Sequence, residues 1–298
     1  MNYGKKSVKQ KKKALQSTSS KLGRKCLLTF SKVLLLCVIA IGIIGICAGL
    51  GVFKGIIDSA PTITLEDATP TRYSSFIYDS KGNQMAKLIA EDSNRVPVTM
   101  DQIPTDLANA FVAIEDERFY QHNGIDIMGI LRAGVTAVKT GFKRQEGAST
   151  ITQQLIKNTV LTTWTQEKTL GERIKRKVQE QYLAIQLEKD TNDKSKILEQ
   201  YMNTINLGQN TLGVQAASKR YFNKNVWELS LSECATIAGI TQNPSRFNPL
   251  SENGRKRNEE KRRVILQYMY EQGKITKEEQ EEALADDVYS RIKNVDIV

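Results

Sequence analysis

Glu115-Asp116-Glu117-Arg118-Phe119-Tyr120-Gln121-His122-Asn123-Gly124 ends an apolar helical stripe with a run of acids. Upstream, Leu107, Phe111 and Ile114 recur at helical spacing behind Pro104, a residue suited to a first helical turn. Glu115 follows Phe111 by four residues, so it flanks the stripe instead of lying opposite it. A carboxylate partly withdrawn from water in this way is a better proton acceptor near neutral pH. The plain alternative is a solvated acid at a helix C-terminus. His122 is the single histidine of the chain. It has no Cys or His companions for a metal site, and no Gly-x-Ser-x-Gly elbow for a nucleophilic triad. A hydrogen bond that orders the loop behind Glu115 is the better reading.

Three further motifs follow in order: Gly147-Ala148-Ser149-Thr150-Ile151-Thr152-Gln153-Gln154, Arg176-Lys177-Val178-Gln179-Glu180, and Ile197-Leu198-Glu199-Gln200-Tyr201-Met202-Asn203. The first reads as a loop entering a helix, and Thr150-x-x-Gln153 fits a capping box. Such an N-terminus is also an anion site, with Lys157 one to two turns on. In the second, Arg176, Lys177 and Glu180 share one side of a helix, while Ile174, Val178, Tyr182 and Ile185 mark the other. A solvated Arg–Glu pair would explain this face, but Leu183 and Leu187 fall on Glu180's side, so a cleft wall fits better. The third is read as structural, with Tyr201 and Asn203 packing or capping beneath the site.

The net charge of +10 suggests nucleic acid until it is located. Eleven of the 43 basic side chains and none of the 33 acidic ones lie in residues 1–57, which leaves 32 basic against 33 acidic beyond them. The excess belongs to a tail, and nucleic-acid binding loses its support. Next to that tail, 33–53 is uncharged and rich in Leu, Ile and Val. At ~1.5 Å per residue it reaches ~30 Å, a bilayer core. An uncleaved signal-anchor is expected, with a cleavable signal peptide as the alternative. The lysine-rich side stays cytoplasmic by the positive-inside rule, which exports the remainder. Cys26, Cys37 and Cys47 fall at or within this segment, so Cys234 stands alone outside it, read as a small buried residue.

The organisation expected is a basic cytoplasmic tail (1–32), the anchor (33–53), a linker (54–72), a large domain (73–286) and a C-terminal tail (287–298). A hairpin is expected from strands Ser75 to Tyr78 and Gln84 to Ile89 around a turn at 79–82. Helices are expected at 126–140, 150–160, 172–189, 194–204, 213–220, 230–240, 253–272 and 276–285.

The four motifs, with Tyr221-Phe222-Asn223-Lys224, Asn243-Pro244 and Arg262-Arg263, resemble the bacterial peptidoglycan glycosyltransferases over about residues 104–285. That domain opens class A penicillin-binding proteins and also occurs alone. The resemblance implies a mainly α fold: a lysozyme-like, two-lobed domain with a small β-hairpin, preceded by one transmembrane helix. It implies catalytic roles for Glu115, as general base, and Glu180. Asp116, Arg132, Ser149, Gln153, Gln154, Lys157, Arg176 and Lys177 are its implied substrate-binding residues. Phe119, His122, Gly124, Gly147, Thr150, Tyr201 and Asn203 complete the motifs. The chain departs from the pattern at Glu172, where many relatives carry a basic residue, so Lys168 and Arg173 receive no role.

The implied activity is polymerisation of lipid II into glycan strands at the outer face of the cytoplasmic membrane, by inverting transfer with release of polyprenyl pyrophosphate. A divalent cation, Mg or Mn, and no organic cofactor, goes with it. The implied partners are lipid II, the growing lipid-linked glycan, the membrane, and cell-wall elongation or division proteins. Two alternatives remain: a membrane-tethered lysozyme-like hydrolase, and an inactive membrane-anchored scaffold. Ser290-x-x-Lys293 matches a transpeptidase nucleophile motif by chance, since no companion motif follows. The 286–298 tail has no stop-like features, which favours the start of a longer bifunctional chain over a monofunctional enzyme.

Overall fold

The computed structural model describes residues 4–15, 18–88, 94–141 and 147–292. The chain divides into two units, Met1–Ser59 and Ala60–Val298. In the first, α1 (Lys5–Leu15) is lysine-rich and buries no residue. Helix α2 (Thr18–Asp58) contains the predicted 33–53 span. Its apolar stretch, Leu22–Asp58, is long and apolar enough to cross a membrane, and the most hydrophobic window packs against no protein. Such a helix is consistent with membrane anchoring.

The second unit opens with the expected hairpin, β1 (Ser75–Tyr78) antiparallel to β2 (Gln84–Leu88). Asp79 shapes the turn by accepting hydrogen bonds from the backbone of Lys81 and Asn83. Ile89 lies outside the described residues. Nine helices follow among the described residues: α3 (Thr105–Glu115), α4 (Ile127–Lys139), α5 (Ile151–Thr159), α6 (Leu170–Thr191), α7 (Lys194–Thr204), α8 (Val214–Phe222), α9 (Leu231–Ala238), α10 (Glu252–Glu271) and α11 (Lys277–Ala285). Each predicted helix is present, with ends displaced by a few residues.

These helices form two packed groups over a shared core. Helix α3 packs on α9 and α10, with α11 against α10, while α5 packs on α6 and α7. Leu107 and Phe111 of the predicted stripe are fully buried in that core, with Leu155, Leu183, Leu187 and Ile197 from the second group. The fold is therefore mainly α with one small hairpin and an apolar N-terminal helix, as expected.

Two boundaries are corrected. The predicted linker 54–72 is not free chain: Ile63 and Ala68 are buried in the core, so the large unit starts near Ala60. The predicted tail 287–298 also begins inside the fold. Val288 and Tyr289 are buried, and the Tyr289 hydroxyl donates to Asn258 Oδ1 at 2.7 Å. Arg291 holds the segment through Asp286 at 2.7 Å and the buried Glu233 at 3.0 Å. Apolar residues spaced too sparsely to show a period carried both contacts, which is why the sequence hid them. Ser290 donates to Asp287 O, and Lys293 lies outside the described residues. Cys234 is buried as expected, and burial pushes its thiol pKa well up.

Candidate active site

Helix α3 ends at Glu115 because Asp116, its C-cap, turns the chain out of the helical region. The two adjacent acids then diverge. The Glu115 carboxylate is part-buried and faces both helix groups: Gln154 Nε2 on α5 donates to Oε2 at 2.8 Å, and the Thr241 hydroxyl donates to Oε1 at 2.5 Å.

Asp116 is buried and points away. Its carboxylate pairs with His122 Nε2 at 2.9 Å and accepts the backbone N–H of Ile151 at 3.0 Å. Both Asp116 oxygens are thus held within the protein, which leaves neither turned toward the substrate contact expected of this residue. The anion at the α5 N-terminus is Asp116 itself. The backbone anion site expected there for a ligand is filled, a carboxylate being the favoured neighbour of free helix N–H groups. His122 orders the loop, as expected, with its ring edge-on to the buried Phe119.

Gly124 closes the motif at φ +85°, and a Cβ there would meet the Ala184 backbone carbon at 2.5 Å. Its carbonyl accepts the Thr150 hydroxyl at 2.8 Å and Gln153 Nε2 at 3.2 Å. Thr150 caps α5 through the Gln153 N–H, but the reciprocal half of the predicted capping box is missing. The Gln153 side chain is engaged elsewhere, by Gly124 and by Lys177 Nζ at 3.1 Å. Gly147 has open space around an added Cβ, so nothing in the structure demands glycine there.

Across from α5, α6 supplies a cationic wall. Glu180 is 1% exposed, and Arg176 donates to its Oε1 while Lys177 Nζ lies 2.9 Å from its Oε2. Lys177 also donates to Ser149 Oγ at 2.7 Å, and Arg176 to Glu167 Oε1 at 2.6 Å. One buried carboxylate thereby aims two cations into a cavity of about 280 Å³ lined by Ser149, Gln153, Gln154, Lys157, Trp164, Arg176, Lys177 and Glu180. Lys157 Nζ sits 4.8 Å from the centroid of the Trp164 ring, a cation–π distance. Burial draws the Lys157 pKa down; Glu180 and Glu115 counteract this, and Arg176 and Lys177 add to it. Lys157 thus lies within electrostatic reach of both predicted catalytic acids.

Beneath the site, Tyr201 is fully buried, edge-on to Phe111, with its hydroxyl 3.5 Å from Gln154 Oε1. Burial, then Glu115 and Asp116, push its pKa well up, so the hydroxyl stays a donor. Asn203 clamps the backbone of Val98 through both ends of its amide, at 2.9 and 2.8 Å. Tyr201 thus packs against α3 and α5, and Asn203 ties the Val98 segment to α7.

Arg132 is not in the cavity. It lies on α4, 3.4 Å from Glu117, and the α4 residues Ile127, Met128, Leu131, Val135 and Val138 are all exposed. Glu172, the departure from the expected pattern, has a local explanation: it forms the capping box of α6 with Thr169. Thr241, Trp164 and Glu167 were missed by the sequence reading. Only Glu167 left a signal, as an acid nine residues before Arg176 near a helix start.

Among the described residues no three His, Cys, Asp or Glu side chains come together. The Glu180 oxygens are already paired with cations, and those of Glu115 with neutral donors.

Residues 81–270 match the family model described as Transglycosylase. Penicillin-binding protein 1A of Clostridium botulinum (strain Langeland) is 44% identical over 242 residues, covering 79% of this chain and 28% of that protein. The protein of the same name from Aquifex aeolicus is 43% identical over 220 residues, covering 74% of this chain and 28% of its own length. The crystal structure of penicillin-binding protein 1A from Haemophilus influenzae overlaps with a TM-score of 0.41 at 24% identity, covering 77% of this chain and 22% of that one. The chain thus spans under a third of the length of these curated relatives.

Proposed function

The chain belongs to the transglycosylase family found in class A penicillin-binding proteins, and on that premise we propose that it polymerises lipid II into peptidoglycan glycan strands. The observation that carries the reading is the pairing of one accessible carboxylate, Glu115, with a cavity whose wall holds Arg176, Lys177 and Lys157.

The leaving group of this transfer, polyprenyl pyrophosphate, departs already anionic, so it needs cations more than a proton donor. Arg176 and Lys177, fixed by Glu180, meet that charge as it develops. Glu115 accepts the proton of the incoming sugar hydroxyl. The hydroxyl oxygen bonds to the anomeric carbon from the opposite face while the carbon–oxygen bond to pyrophosphate breaks. The anomeric configuration inverts. Glu180 works through its cations, since both its oxygens are held by them. No step is routed through a divalent cation.

Helix α2 anchors the chain in the membrane with its lysine-rich end cytoplasmic and the large unit outside. The exposed apolar face of α4 then offers the lipid tails a surface that water does not favour. Cell-wall elongation or division proteins are the expected partners. Incubation with lipid II and, separately, with finished glycan distinguishes the alternatives. Glycan lengthening with time is expected; shorter fragments from finished polymer would identify a hydrolase, and lipid II binding without product an inactive scaffold.

Replacing Glu180 by Gln keeps the shape but takes the buried counter-ion from Lys177 and leaves Arg176 with Glu167. Breaking a fully buried pair costs about 3–5 kcal/mol. Arg176 and Lys177 are 21% and 39% exposed, so solvent screens much of this. The expected result is a modest fall in melting temperature with polymerisation reduced at least about 100-fold. Wild-type rates would remove Glu180 from the mechanism.

Trp164 and Trp227 are the two tryptophans. Changing the surface residue Trp227 to Phe leaves Trp164 as the sole indole reporter on the cavity. Its emission is expected to change on titration with lipid II, and Lys177→Ala is expected to weaken that binding at least about tenfold. Unchanged emission at saturating lipid II would place the substrate elsewhere.

A further inference from the structure

The Thr241 hydroxyl reaches Glu115 from the helix group opposite α5, across 126 positions of sequence. Its loop follows the buried α9 and is pinned on both sides by Asn258, itself fully buried. Asn258 Nδ2 donates to Thr236 O at 3.1 Å and to Phe247 O at 3.2 Å. Tyr289 secures Asn258 from behind at 2.7 Å, and Lys261 Nζ donates to Gln242 Oε1 at 3.0 Å. A hydroxyl on such a loop is held in place before substrate arrives.

We propose that Thr241 is a positioning residue for Glu115, forming with Gln154 a two-donor clamp that fixes the plane of the reacting carboxylate. The proposal rests on the reading of Glu115 as the base. Gln154 holds one oxygen and Thr241 the other, from the two walls of the cleft. Two donors on different oxygens stop rotation of the terminal torsion, which is otherwise broad. An ionised carboxylate has about four lone-pair positions, so the clamp leaves room for the sugar hydroxyl. A hydroxyl can also accept, so Thr241 keeps its contact once Glu115 has taken the proton. Among the described residues, charged groups in electrostatic reach of Glu115 include Lys157 on α5 and Lys261 on α10, with the neutral Tyr201 on α7 below.

The test compares Thr241→Val, which keeps the shape and loses the O–H, with Thr241→Ser, which keeps the O–H. Lipid II polymerisation kinetics and melting temperature are measured for both, beside wild type and Glu115→Gln. Misplacement of a reacting group by about 1 Å costs up to about 100-fold. Thr241→Val is expected to lose about 10–100-fold in kcat, with KM within about twofold and an unchanged melting temperature. Thr241→Ser is expected to recover most of that loss. A Val variant as fast as wild type, beside an inactive Glu115→Gln, overturns the clamp alone. So does a loss confined to KM, or one that tracks a lowered melting temperature and is not rescued by Ser. Polymerisation by Glu115→Gln removes the premise instead.

Discussion

Glu115→Gln is expected to abolish glycan polymerisation while leaving fold and lipid II binding intact. A general base contributes about 100- to 10,000-fold, and glutamine cannot accept the proton. The structural cost is small because the site accommodates an amide. Thr241 can still donate to the amide oxygen, and the terminal amide of Gln154 can turn to offer its oxygen, since among the described residues its other side-chain contact is the 3.5 Å one to Tyr201. A melting temperature within a few degrees of wild type and unaltered Trp164 emission on lipid II binding are expected. Residual polymerisation within tenfold of wild type would show that the proton goes elsewhere.

Gly124→Ala is expected to damage the fold rather than the chemistry. The residue sits at φ +85°, and the new methyl would lie 2.5 to 2.7 Å from backbone atoms of Ala184 and Ile185. Backbone strain and forced displacement of a packed helix each cost about 1–3 kcal/mol. The sum corresponds to a fall of roughly 10 °C in melting temperature for a domain of this size. Activity would fall as well, since the Gly124 carbonyl holds Thr150 and Gln153, and through them the start of α5. Differential scanning calorimetry of the detergent-solubilised chain checks this. A melting temperature within about 2 °C of wild type would mean that the loop and α6 separate more easily than their packing indicates.

The sequence disclosed what repeats locally and concealed what meets at a distance. The Leu107–Phe111 stripe, the Asp79 turn and the shared face of Arg176, Lys177 and Glu180 are periodic or turn signals, and the structure contains each of them. Chemistry beyond one helix was less legible. A helix N-terminus reads as an anion site, but spacing cannot say whether a ligand or Asp116 fills it. Gln153 fits a capping box by position, yet Gly124 and Lys177 compete successfully for its side chain. Arg132 was placed at the substrate by resemblance, while its helix carries it to Glu117 outside the cavity. Thr241 gave no signal, because a lone threonine in a loop acquires its meaning only from a carboxylate 126 positions away.

The most direct measurement counts polyprenyl pyrophosphate released against glycosidic bonds formed during lipid II turnover by the solubilised chain. The account predicts one pyrophosphate per bond, with both products absent in Glu115→Gln. New reducing ends without matching pyrophosphate, or bonds that still form without the Glu115 carboxylate, would contradict it.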